Sequence, residues 1–476
     1  MSLLIYGATI IDGLGGAPVE NGSVWIEGKR IRAVGRQSDI GMPPAENVID
    51  ARGKFIIPGL MNANVHLLCD LYLETLARYW GRYEELITEA AQVALKNGVT
   101  TVFDTAGPRR FLTAVRDRIN AGEVVGSRIF CAGWLVGLDG PYSEDFLVKV
   151  REIASPAFVR RINSLWVENA GRHLMWLTPE QVAAEVRTYI QKGVDFIKYA
   201  SNDHAPGAFL AFSPRVQAAI VKEAHDVGLT AQAHTLSVEG LQIALEAGCD
   251  LIQHVNLTGP VAIPAATLEL LERRNAGAVV FPLTQRALEW FDKKMPDHAR
   301  TMWKVSDTNT RNLIRSGARI LLANDGAVFS PEALSEPSLG EFWKEVAGDA
   351  GGGMYNLGEG HFGWFTAMEE KGCLPMEMLR AATYNIAAAY GKQQDLGTLE
   401  PGKCADLLIL DKNPLQNAAH YRAIHRVVKE GAVVDRDALP SKPVLTKPME
   451  PALEEGSYKP FLSAPQFPMC PMCLKH

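Results

Sequence analysis

The chain has 476 residues, 47% of them hydrophobic, which suits one large core with a smaller appendage better than a single minimal domain. A net charge of -6, with Lys and Arg scattered and in no run, excludes the basic footprint of a nucleic-acid binder. No stretch reaches the roughly eighteen consecutive apolar residues that a membrane-spanning helix needs.

In chain order, MSLLIYGATIIDG alternates like a strand and carries neither a basic n-region nor a cleavage pattern, so it does not read as a signal peptide. Residues 1–57 predict short strands in LLIYGATIID, SVWIEGKRIRAVG and NVIDARGKFIIPG, with Asp12-Gly13 and Gly28-Lys29 where tight turns fall. Residues 395–435 read the same way, through DLGTLEPGKCADLLILDKNP and AIHRVVKEGAVVD. We therefore expect residues 1–57 and 395–436 to form one composite β-domain, a small β-sandwich built from both chain ends.

Residues 58–394 alternate strands with helices. A helix over 84–98 ends in a glycine stop and precedes the strand TTVFDT. The unit repeats: PEQVAAEVRTYIQKG before VDFIKYAS, SPRVQAAIVKEAHDVG before LTAQAH, SVEGLQIALEAG before CDLIQHV, TLELLERRNAG before AVVFPL, and TNTRNLIRSG before ARILLAND. Thr178-Pro179 and Ser213-Pro214 each place a capping residue before a proline at the first helical position. About eight such units predict an α/β fold, a (β/α)8 TIM barrel with a parallel sheet. Residues 136–177 and 328–365, the latter with Gly351-Gly352-Gly353, interrupt the rhythm as long loops on the catalytic face. Residues 437–476 are proline-rich and lack periodicity, an irregular tail expected to wrap a surface or a neighbouring subunit.

Cys69, Cys131, Cys249, Cys373 and Cys404 stand alone in apolar contexts and read as buried free thiols. An odd total without framework spacing points to a reducing, cytoplasmic setting. The tail ends in Cys470, Cys473 and His476; three donors at a chain end fall short of a structural zinc site, and packing is the expected role.

Metal-type ligands recur where strands end. Asn64 and His66 lie two apart in IIPGLMNANVH and so share a face. Lys198 sits in the apolar strand DFIKYAS, where an inward lysine is unfavourable unless paired or chemically altered. A buried lysine has a lowered pKa and can accept CO2, becoming an anionic ligand able to bridge metals. His234 and His254 end strands one unit apart, and Asp325 ends ILLAND. Imidazoles suit zinc-like ions, and a carboxylate so placed can ligate the ion and accept a proton. The expected metal set is thus Asn64, His66, Lys198, His234, His254 and Asp325, with Asp325, Lys198 and His254 as catalytic residues.

These segments, with TYNIAAAYG and DLGTLEPGKCADLLIL, resemble the amidohydrolase superfamily in its imidazolonepropionase-like and Xaa-Pro-dipeptidase-like branch, over roughly residues 1–435. That family's first motif is His-x-His. Here it is Asn64-x-His66, a departure that resembles the phenylurea hydrolases, bacterial enzymes that cleave aryl-urea herbicides. The resemblance implies zinc, one or two ions with Mn or Fe as substitutes, Lys198 as an N6-carboxylated bridge, His234 and His254 on one metal, and His66 with Asp325 on the other. Asn64, a neutral and harder donor, leaves the ion count at strand one open. A homo-oligomer is also implied.

The chemistry expected of such a set is attack of metal-bound hydroxide on a carbonyl, with Asp325 moving the proton to the departing nitrogen. No G-x-S-x-G elbow suggests covalent catalysis. Trp80, Trp134, His204 and Phe209 are the expected substrate contacts, within a wider aromatic set that includes Tyr83, Trp166, Trp176, Phe212, Trp290 and Trp303. The expected substrate is a small-molecule aryl urea or amide. An Xaa-Pro dipeptidase or N-acyl amino acid amidohydrolase, using Arg160, Arg161 and Tyr142 on a carboxylate, is the first alternative. An inactive barrel with a binding role is the second.

Overall fold

Alternating apolar residues at the N-terminus form β1 (Ser2–Ile10), β2 (Val19–Glu27), β3 (Arg30–Arg36), β4 (Asn47–Asp50) and β5 (Phe55–Pro58). Gly28 and Lys29 make the two-residue turn between β2 and β3, and Gly28 has the positive φ of 58° such a turn requires. The computed structural model describes residues 2–68, 76, 79–146, 150–204, 209–328 and 353–439. Cys69, most of the 328–365 loop including Gly351 and Gly352, and the tail cysteines with His476 lie outside them.

The central strands are β6 (Leu60–Val65), β7 (Val99–Asp104), β8 (Arg128–Cys131), β9 (Ile197–Ala200), β10 (Ala231–His234), β11 (Leu251–Gln253), β12 (Gly277–Val280) and β13 (Ile320–Leu322). The chain closes with β14 (Leu407–Leu410), β15 (Ile424–Lys429) and β16 (Ala432–Val433).

One mixed sheet takes strands from both chain ends, in the order β16-β15-β14-β5-β1-β2-β3, with β4 also on β1. It has its own apolar cluster, in which Leu3, Ile5, Val24 and Ile56 pack with Leu399, Leu407, Ile409 and Val428. The ends meet because β14 pairs antiparallel with β5, and Gly59 then turns the chain into β6.

The central strands form two parallel sheets, β6-β7-β8 and β13-β12-β11-β10-β9. Isolated parallel bridges join them at both edges, Val136 to Tyr199 and Val65 to Gly326. Helices separate successive strands, as the helix–stop–strand repeats predict. Thr178 caps its helix with a full capping box to Gln181, and Ser213 caps the next through Val216. One stop differs from expectation. The helix Ala265–Arg274 ends at Asn275, in the left-handed region at φ 52°, while Gly277 has joined β12. A Cβ at Gly277 would come within 2.8 Å of the Leu321 side chain, so glycine serves packing there. Among the described residues no helix is long and apolar enough to cross a membrane.

Arg128, at the start of β8, ties the two parts together. Its guanidinium pairs with Asp406, just before β14, and with Glu430, just after β15, at 2.9 Å for the latter. Cys131, Cys249, Cys373 and Cys404 are free thiols, and the first three are buried.

Candidate active site

Of the expected metal set, His66, His234, His254 and Asp325 lie at or just beyond the C-terminal end of a parallel strand, Asn64 and Lys198 lie inside one, and all six are buried. Period two puts Asn62, Asn64 and His66 on one face of β6 and its extension. The pairing of β6 with β7 is irregular between Asn62 and Val65, a bulge-like break of the kind that re-aims side chains beside a site. Lys198 lies inside β9, opposite Gln232 of β10, and His234 ends β10 opposite Gln253. His254 follows β11 with φ 37° and Asp325 follows β13 with φ 52°. Non-glycine residues in the left-handed region are disfavoured, and here the two turns aim site side chains.

The contacts define the donors. His66 Nε2 lies 3.0 Å from Asp325 Oδ1, and its Nδ1 faces the Ala106 carbonyl at 3.3 Å. A neutral imidazole has one N–H and can serve only one of these acceptors. His254 Nδ1 donates to the Thr235 carbonyl at 2.9 Å, which leaves its Nε2 with a lone pair. The His234 ring lies edge-on to His254, centroids 4.6 Å apart. Its Nε2 is buried and has no hydrogen-bond partner among the described residues. A buried, unsatisfied imidazole nitrogen beside a second imidazole with a free lone pair fits a soft-to-borderline divalent ion.

Lys198 and Asn64 are held differently. The Lys198 ammonium donates to Thr105 Oγ1 at 3.1 Å, and the Thr105 hydroxyl donates to Asn64 Oδ1. Asn64 Nδ2 donates to Gln253 Oε1 at 2.9 Å. Both ends of the Asn64 amide are therefore engaged within the protein. Among the described residues no three His, Cys, Asp or Glu side chains form a ready metal cluster as placed.

The site's electrostatics follow from burial. Loss of solvent pulls Lys198 down to about 8, against the attraction of Asp325 and Asp104. Burial likewise lowers His254 to about 4, and it takes His234 well below the ordinary imidazole value, with neighbouring His254 and His204 adding to the effect. For Asp325 burial would raise the pKa, but the charge and hydrogen bond of His66, with Lys198, outweigh it and keep the carboxylate below its usual value. Asp104 goes the other way. Burial lifts it to about 6, although His66 and the backbone N–H groups of Leu67 and Ala106 favour its anion. Asp104, Thr105 and Gln253 were absent from the expected set, and the strand end TTVFDT was the available signal for the first two.

The expected substrate residues divide. Trp134 is buried, and its indole N–H is held by the carbonyls of Leu138 and Asp139, both at 3.0 Å. Its ring meets Phe146 at 5.1 Å, Phe146 meets His204 at 4.2 Å, and His204 stacks on His234 at 5.2 Å and 20°. His204 thus reaches the metal-type cluster, and Phe146, which sequence reasoning missed, links it to Trp134. Burial keeps His204 neutral, lowered to about 3. Phe209 corrects the expectation: its side chain is 69% exposed, and its backbone instead closes the turn from Asp203. Trp176 is 88% exposed, while Trp166 and Trp303 are buried helix residues. Trp80 packs on Tyr83 at 6.0 Å and carries Arg161 over its face at 4.9 Å, away from this stack.

The model of the amidohydrolase family matches residues 55–434. The solved structure of molinate hydrolase is 38% identical, with a TM-score of 0.88, and the match covers 95% of this chain and 98% of that one. Phenylurea hydrolase B is 37% identical with a TM-score of 0.88, over 94% of this chain and 100% of the other. Ochratoxinase from Aspergillus niger is 25% identical over 90% of this chain and 85% of its own length.

Proposed function

The chain belongs to the amidohydrolase family, and from that premise we propose that it is a metal-dependent hydrolase that cleaves the carbon–nitrogen bond of an aryl urea or related aryl amide. The eight parallel strands, bridged at both edges, read as one closed (β/α)8 barrel over residues 58–394, with residues 1–57 and 395–436 as the composite β-domain. The family is generally metal-dependent, and the donors fit. His66, His234, His254 and Asp325, together with Lys198 in its carboxylated form, would hold one or two zinc-class ions. The observation that carries this reading is the orphaned His234 Nε2 beside the free lone pair of His254.

A divalent ion in this place supplies an activated water and polarises the substrate carbonyl. The protein's own groups do the rest. Asp325, kept ionised, accepts a proton and returns it to the departing nitrogen. The lowered pKa of Lys198 raises the share of free amine, the form that adds CO2. The neutral His204 ring and Phe146, in contact at 4.2 Å, offer aromatic surface for an aryl group. Asn64, engaged at both ends of its amide, serves as a hydrogen-bond partner of Thr105 and Gln253 in this reading. Likeness to phenylurea hydrolase B supports the substrate class.

The test is zinc-loaded protein incubated with an N-aryl urea, with aniline release followed by chromatography. Release is expected. No release, alongside turnover of Xaa-Pro dipeptides, would replace this reading with a dipeptidase.

A further inference from the structure

Resting on that reading of the site, we propose that Tyr390, Gln232, Gln253, Asn64 and Thr105 form a one-way hydrogen-bond relay that positions the nitrogen of Lys198, with Tyr390 and Gln253 as its positioning residues. Every member is buried. The direction of the relay is set by its two ends, because each can play only one part.

At the far end stands the Ala63 carbonyl, which can only accept. The Tyr390 hydroxyl donates to it at 2.7 Å. With its proton committed, that oxygen accepts from Gln232 Nε2 at 3.2 Å. The Gln232 amide must then present its oxygen to Gln253 Nε2, and the two are bonded. Gln253 in turn presents Oε1 to Asn64 Nδ2. Asn64 turns Oδ1 to the Thr105 hydroxyl, whose oxygen accepts from Lys198 Nζ. Lysine as ammonium, free amine or carbamate retains at least one N–H, so the relay holds the nitrogen through that chemical change.

The anchor is rigid. The Tyr390 ring stacks on Phe103 at 3.7 Å and 16° and meets Phe196 edge-on at 5.0 Å. Burial keeps its phenol protonated, well above the ordinary tyrosine value. The register of the strands does the rest, setting Gln232 opposite Lys198 and Gln253 opposite His234. Without the Tyr390 hydroxyl, the far end no longer fixes which way the two glutamine amides point, and their orientation rests on the Lys198 end alone. If they reverse, Asn64 turns its NH2 toward Thr105, and the Thr105 hydroxyl loses the acceptor that directs its proton away from Lys198.

The experiment compares wild type, Tyr390→Phe, Gln253→Met and the double variant, with Thr105→Ser and Thr105→Val as a separate pair that leaves the anchor intact. Two quantities are read: zinc affinity by chelator competition on metal-free protein, and kcat and KM for an aryl urea. Each relay-breaking variant, Thr105→Val included, should weaken zinc binding and lower kcat by about 10-fold to 100-fold with KM nearly unchanged. The double variant should be no worse than the weaker single, because a relay broken once is already broken. Thr105→Ser, which keeps the hydroxyl, should stay close to wild type. Wild-type zinc affinity in Tyr390→Phe, or losses that add in the double variant, would overturn the proposal. The zinc affinities carry the test by themselves, so a wild type that binds zinc yet leaves aryl ureas intact refutes the substrate reading alone.

Discussion

Replacing Lys198 with methionine should stabilise the metal-free protein while removing its activity. Burial lowers the folded-state pKa of Lys198 from 10.5 to about 8, and the side chain is almost wholly inaccessible. A difference of ~2.5 units corresponds to ~3 kcal/mol against the ammonium in the folded state. The hydrogen bond to Thr105 is lost in the variant, which offsets ~1 kcal/mol. A net gain of ~2 kcal/mol at pH 7 remains, since methionine fills similar volume without a charge. The sign follows from the direction of the shift. The folded pKa is the lower one, so the penalty on wild type is fully present below about 8 and fades as pH rises toward 10.5. Urea midpoints of the two metal-free proteins at pH 7 and pH 10 read this directly. The variant should be the more stable at pH 7, with the gap narrowing at pH 10. A less stable variant at pH 7, or a gap independent of pH, would refute the reasoning.

His361 should produce an acid limb in the stability curve. Its Nε2 meets the Asn97 carbonyl at 3.0 Å, and burial lowers its pKa to about 3. Below about 6.5 the unfolded chain takes up the proton first, so stability falls by up to ~1.4 kcal/mol per pH unit, and His361→Gln should flatten that limb in urea midpoints at pH 7 and 4.5. Arg128→Met leaves Asp406 without its buried cation and should destabilise by ~3–5 kcal/mol in chemical unfolding, with Arg128→Lys losing less. Phe146→Ala should raise KM for an aryl urea by roughly tenfold with kcat little changed, and should leave a dialkyl urea unaffected in the same assay.

The strand-end residues were legible because a strand's period of two and its apolar flanks mark what faces inward: Lys198 in DFIKYAS and His234 in LTAQAH are buried where that pattern puts them. The meeting of the chain ends was legible for a similar reason, since β5 and β14 are both short apolar runs and they pair. What surrounds Asn64 was not. Its partners Thr105 and Gln253 come from other strands, and only the register of β7 and β11 brings them within reach. Tyr390 lies further still, in a segment whose pattern reads as helix packing. The aromatic residues show the opposite failure. Composition placed Phe209 and Trp134 together, but one is exposed at a turn and the other is held in the loop by its own indole N–H. Phe146, without a chemical signature of its own, gained a place only through contact with His204.

The most direct measurement is zinc content by plasma mass spectrometry, taken after dialysis on the same wild-type and His234→Ala samples used for aniline release. Stoichiometric zinc with turnover in wild type, and the loss of both in His234→Ala, is the predicted result. Retention of ion and turnover without His234 would contradict the central claim that this imidazole, whose buried Nε2 has no hydrogen-bond partner among the described residues, is a metal ligand.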